Sequence, residues 1–93
     1  MAPAPFLAVD RDGFVSYANA AAAELFGRPL EEVVGRALPD AWPEAGAALG
    51  ALLAAPVNGA PVERTLTTPR SRRTIEVRGF PGEEGAAVFL RET

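Results

Sequence analysis

Apolar positions in the first thirty residues follow two rhythms in succession. Phe6 to Asp10 (FLAVD) is a short β-type run, Arg11-Asp12-Gly13 is a turn, and Phe14 to Ala18 (FVSYA) returns as the partner strand. Leu7, Val9, Val15 and Tyr17 compete with Phe6, Ala8 and Phe14 for the buried face, so both faces of this hairpin are partly apolar. The rhythm then lengthens. Asn19 can accept a hydrogen bond from a free amide of the next turn, which predicts a helix over Ala20 to Phe26 with Asn19 as its N-cap and Gly27 at its close. Pro29 opens a second short turn that carries Leu30, Val33 and Val34 at helical spacing, and Gly35 stops it.

The second half reverses that order. Pro39, Trp42 and Pro43 enclose a short irregular segment around Asp40, after which Glu44 to Ala55 reads as the most regular helix, ended by Pro56. Its stripe is Leu49, Leu52 and Leu53. Gly46 and Gly50 each weaken this helix by up to about 1 kcal/mol, so packing has to hold it. Asn58-Gly59 marks a turn before a strand from Val62 to Thr68, in which Val62, Arg64 and Leu66 alternate with Glu63, Thr65 and Thr67. Pro69 to Arg72 is a loop, and in Arg73 to Phe80 Ile75 and Val77 face one way, Glu76 and Arg78 the other. Pro81 to Gly85 turns the chain into a last strand, Ala86 to Arg91. Two strands, a helical segment and three strands make an α+β class.

The succession of a hydrophobic strand, Asp10, Asp12-Gly13, Phe14 to Tyr17, Asn19, Glu24-Leu25-Phe26-Gly27, Glu31-Glu32 and Gly35-Arg36 resembles the first half of a PAS sensory domain. Arg91-Glu92-Thr93 resembles, in shortened form, the motif into which such domains commonly run. The resemblance covers roughly the whole chain. It implies a PAS-like, five-stranded antiparallel sheet with short helices packed on one face, and a single domain over residues 1–93. Residues 1–5 would be a flexible lead-in and residues 91–93 the start of an output linker. A ligand cleft of that fold would be lined by Phe26, Leu30, Val34, Leu38, Trp42, Leu49, Leu53, Ile75 and Val77, with Trp42 either walling the cavity or packing as core. The outer sheet face is where PAS domains meet a partner chain or flanking helix, and Phe14, Val88 and Leu90 are apolar strand residues suited to it. Arg91, Glu92 and Thr93 would carry the signal out.

Composition narrows the chemistry. With no cysteine and no histidine, disulfides, thiolate sites and the usual zinc and haem ligands are missing, and no metal site is expected. The PAS subclasses that form a cysteinyl-flavin adduct, a thioester-linked chromophore or a histidine-ligated haem therefore lack their residue here. A noncovalent ligand, a flavin held without an adduct and a filled core stay open. General acid–base and nucleophilic catalysis lack their groups too: Ser16 and Ser71 have no base in view, and Glu31-Glu32 and Glu83-Glu84 read as solvated surface. Asp10 and Asp12 read as turn chemistry. Arg70, Arg72 and Arg73 form the basic cluster, either an exposed loop balanced by glutamates or a fork for an anion.

A net charge of -3 with scattered signs argues against nucleic acid, and no apolar run approaches the roughly 18 residues of a membrane span. MAPAP carries no positive charge of the kind that opens a signal peptide. All nine basic residues are arginine and alanine abounds, which looks like the codon bias of a GC-rich bacterium. The expectation is a non-catalytic, cytoplasmic regulatory PAS domain of a bacterial histidine kinase or similar protein. It would act as a homodimer and relay ligand occupancy or subunit packing to a C-terminal effector. The alternative is an interaction module with a filled core that pairs chains through the outer sheet face.

Overall fold

The computed structural model describes residues 4–54 and 59–93. The first hairpin pairs β1 (Phe6–Asp10) with β2 (Val15–Ala18), and its turn is shaped by Asp10, whose Oδ1 accepts from the N–H groups of Asp12 and Phe14, each at 2.9 Å. Asp10 is turn chemistry, as expected, and Asp12 contributes its backbone N–H. Alternation in β2 is broken, however. Val9 pairs with Val15 while Ala8 pairs with Tyr17, which leaves Ser16 as an extra residue, a β-bulge. Tyr17 consequently faces outward, 54% exposed, and Ala18 takes the inner position.

Asn19 caps α1 (Ala20–Phe26): its Oδ1 accepts from Ala22 N–H at 2.9 Å, and Gly27 closes the helix in the left-handed conformation, donating to Ala23 and Glu24 carbonyls. The same oxygen also accepts from Phe6 N–H, and Nδ2 donates to the Ala4 carbonyl. Leu90 N–H donates to the Pro5 carbonyl. Ala4 and Pro5 are thus tied to the sheet rather than loose, because proline lacks the donor but keeps the acceptor; the rest of the expected lead-in lies outside the described residues. A single 3₁₀ turn, Leu30–Glu32, leads to α2 (Leu38–Ala41) and α3 (Gly46–Ala54). The longest predicted helix starts two residues late. Gly46 allows this junction to close: a Cβ there would lie 2.0 Å from the Leu38 carbonyl oxygen. Ala55, Pro56 and Asn58, on which the predicted helix end and turn rest, lie outside the described residues.

Three more strands follow, β3 (Val62–Thr67), β4 (Thr74–Gly82) and β5 (Gly85–Glu92), giving one antiparallel sheet in the order β2-β1-β5-β4-β3. β5, last in the chain, is central. Leu7, Val15, Ile75, Val77, Val88 and Leu90 form the buried sheet face, and Ala22, Phe26, Leu38, Trp42 and Leu49 cover it from the helices. In β3 the alternation holds for Val62 and Leu66, while Arg64 stays exposed on this edge strand, its guanidinium donating to the Glu63 carbonyl.

Candidate functional site

The β3–β4 loop holds the arginine cluster, and two side chains shape it. Thr68 is fully buried; its Oγ1 lies 2.6 Å from Ser71 Oγ and accepts from Arg73 N–H at 2.8 Å. From the other side Glu44 reaches across from the turn before α3. Its Oε2 accepts from the N–H groups of Arg70 and Ser71 at 2.8 and 2.6 Å, and its Oε1 from the Ser71 hydroxyl at 3.0 Å. The Ser71 backbone bond holds the Glu44 carboxyl below its ordinary value of 4.5; desolvation opposes it, and the Ser71 hydroxyl, the Arg70 N–H and the Arg70 charge add to the lowering. Arg72 adopts a left-handed φ of 58° within this loop. The loop is exposed yet held at both anchors.

Between this loop, the end of α1 and Trp42 to Glu44 lies an open groove of about 520 Å³. Phe26 and Trp42 stack at its base with centroids 4.7 Å apart and planes 18° apart. Arg28, Arg70 and Arg73 rim it. Arg73 donates to the Leu25 carbonyl at 3.3 Å and faces Glu92 at 3.9 Å. Glu44 and Arg28 were not singled out by the sequence, since nothing in the spacing of residues 28, 44 and 70 announces that they meet.

The nine residues predicted to line a ligand cleft do not stay together. Leu38, Trp42, Leu49, Ile75 and Val77 are buried at 3% exposure or less and belong to one packed cluster with Phe26. Of the nine, Phe26 and Trp42 reach the groove just described, while Leu38 and Leu53 reach another of about 300 Å³ beside the β4–β5 turn. Leu30 and Val34 are a correction: each is 39% exposed. Their segment is one 3₁₀ turn, so Val33, at 0%, is the residue it directs inward and its apolar neighbours flank the outside.

The predicted partner face needs a second correction. Val88 and Leu90 are 0% and 1% exposed and point into the core, opposite the face assigned to them. The β4–β5 hairpin pairs Leu90 with Val77 and Val88 with Gly79, which puts both on the inner side, while Phe89 pairs with Arg78 and faces out. Phe14 is 45% exposed, but it bridges Ala37 beside the hairpin turn instead of standing in the sheet. The outer face is aromatic: Phe6 lies 5.7 Å from Tyr17 and 4.8 Å from Phe89, and Phe80 meets Phe89 edge-on at 6.0 Å.

The family model for the PAS fold matches residues 1–93. The chain belongs to the PAS family. Comparison with curated proteins yields no match. Among solved structures, a domain of an HTR-like protein from Haloarcula marismortui is similar with a TM-score of 0.78 at 17% identity, covering 98% of both chains. The PAS domain of the histidine kinase ThkA gives 0.63 at 23%, covering 95% of this chain and 98% of that one. The sensor region of a sensor histidine kinase gives 0.67 at 25%, covering 95% and 38%. In this PAS domain, Arg91 and Glu92 are still part of β5, and Thr93 N–H donates to the Thr74 carbonyl at 2.9 Å. Arg91 Nε donates to Glu76 Oε2 at 2.7 Å on the outer face. Of the three residues expected to start an output linker, Arg91 and Glu92 continue the sheet and Thr93 follows its end, held to Thr74. Among the described residues no group of three or more Asp or Glu is placed to hold a metal ion, and no helix is long and apolar enough to cross a membrane.

Proposed function

We propose that this domain is the non-catalytic sensory part of a cytoplasmic bacterial signalling protein of the histidine kinase type, and that residues 1–93 act as one unit that passes a signal to a C-terminal effector. The observation that carries this reading is the placement of β5. It is the central strand, and its end is joined to the groove by one residue: Arg73 rims the groove and faces Glu92 at 3.9 Å. A displacement of the β3–β4 loop therefore acts on the last residues of the sheet. The similarity to a PAS domain of a histidine kinase and to the sensor region of another supports the same reading. Coupling requires a ligand or contact that interacts differently with two states of the loop.

The test is a chimera in which this chain replaces the PAS domain of ThkA. Replacing Arg91, Glu92 and Thr93 by a Gly-Ser-Gly linker is expected to change autophosphorylation. Unchanged output would remove β5 as the route.

A second reading, pairing of two chains through the outer sheet face, is favoured by the aromatic cluster of Phe6, Tyr17, Phe80 and Phe89, the last three 54%, 44% and 43% exposed. Light scattering of the purified chain decides it. A dimer that becomes monomeric in Phe89→Asp supports pairing through this face, and a wild-type monomer opposes it.

A further inference from the structure

The arginine-rimmed groove is more than a dent between loops. Its charged lining is three guanidiniums and one carboxylate. That carboxylate, Glu44, directs its oxygens at the Arg70 and Ser71 amides and the Ser71 hydroxyl, so it fixes the loop while its charge offsets one of the three guanidiniums and leaves the lining net positive. The ion pairs of the described residues, Arg73 with Glu92 and Arg91 with Glu76, leave Arg28 and Arg70 without a carboxylate at ion-pair distance. Guanidiniums gathered at a concave wall repel one another unless an anion joins them, and their planar forks match carboxylate and phosphate oxygens. The volume, about 520 Å³, falls in the range of small-molecule sites, about 300–1,000 Å³. Phe26 and Trp42, 7% and 3% exposed, add a narrow apolar floor beside the charge.

We propose that this groove binds a small organic anion, an acid group of carboxylate or phosphate type on a flat apolar body, with Arg28 and Arg70 taking the acid group and the body resting on the small part of the Phe26–Trp42 pair that reaches the groove. Arg73 stands between ligand and output. An anion that draws its guanidinium toward the groove draws it away from Glu92, and the end of β5 loses a contact. Reading the anion as the domain's signal rests on the sensory function proposed above; its binding does not.

The experiment titrates the 93-residue chain with phthalate and with phenyl phosphate, using phthalamide and phenol as uncharged counterparts. Two readouts are followed: fluorescence of Trp42, the sole tryptophan, and backbone amide shifts. Saturable binding of either anion is expected, with amide shifts concentrated at residues 28, 42 and 70–73, and weakening as salt screens the charges. Preference for phthalate assigns a carboxylate ligand; preference for phenyl phosphate assigns a phosphate. Arg28→Ala with Arg70→Ala is expected to weaken binding at least tenfold, whereas Arg36→Ala, outside the groove, leaves it unchanged. Equal binding of the uncharged compounds, shifts centred elsewhere, or an indifferent arginine double variant would overturn the proposal. In the ThkA chimera, an anion that binds at these amides without altering output defeats the signal role and leaves the site standing. Failure to bind, with output still sensitive to the Gly-Ser-Gly replacement, defeats the site and leaves the sensory reading standing.

Discussion

Asn19 makes the sharpest test of how this fold is joined. Substituting Asn19→Ala removes three side-chain hydrogen bonds at once: Oδ1 from Ala22 N–H at 2.9 Å, Oδ1 from Phe6 N–H at 3.1 Å, and Nδ2 to the Ala4 carbonyl at 2.9 Å. Loss of the cap costs about 1 kcal/mol. The two other bonds contribute about 0.5–1.5 kcal/mol each, toward the upper end for the half-buried Phe6 amide, which loses a partner without regaining water. The total is about 2–4 kcal/mol, or roughly 10–20 °C in Tm at this chain length. Asn19→Asp separates the contributions. It keeps the acceptor and places a negative charge at the start of α1, but it loses the donor to Ala4, so about 1 kcal/mol is expected. Urea unfolding followed by Trp42 fluorescence and far-UV circular dichroism measures both, provided the m-value is unchanged. The reasoning fails if Asn19→Ala lies within about 0.5 kcal/mol of the wild type, or if Asn19→Asp is as damaging as alanine.

The face assignment of β5 separates two neighbours: Val88→Asp buries an unpaired carboxylate and should cost more than about 3 kcal/mol, whereas Phe89→Asp, on a residue 43% exposed, should leave the fold intact. Circular dichroism melts check both, and a well-folded Val88→Asp would reverse the assignment. Gly85→Ala should lose more than about 1 kcal/mol in the same melts, because φ is 142° and a Cβ would lie 1.8 Å from the Val9 carbonyl oxygen. Since the folded carboxyl of Glu44 lies below its ordinary value of 4.5, its hold on the β3–β4 loop is complete above that value and is lost as the pH falls through the lowered pKa. Protection of the Arg70 and Ser71 amides from hydrogen exchange, relative to the intrinsic rate at each pH, should fall on acidification in that window; the same fall in Glu44→Gln, which cannot titrate there, would exclude Glu44 as the cause.

Local chemistry was readable wherever a residue acts on its sequence neighbours. The Asn19 cap, the Gly27 stop, the Asp10 turn and the inward Ile75 and Val77 all rest on contacts or periods within a few residues. Errors fell where the period is silent. Residues 86 to 90 (AAVFL) are apolar throughout, so alternation does not tell Val88 and Leu90 from Phe89. A usable signal was nonetheless present: Glu83-Glu84 between Gly82 and Gly85 is a two-residue hairpin connection, and counting back from it sets Leu90 opposite the buried Val77. The bulge at Ser16 had no such signal, and it turned Tyr17 from inner to outer face. The site was less legible than the fold, because Arg28, Glu44 and Arg70 meet only through the closure of helices on sheet.

By itself the sequence determined the strand and helix order, the turns, the family and the absence of cysteine and histidine chemistry, since each depends on residue type or short-range spacing. Tertiary structure alone decided that β5 is central and that a carboxylate 26 residues away builds the arginine loop. Those features depend on pairing partners far apart along the chain, and the energy that selects such partners is shared across the whole core rather than written in any one segment.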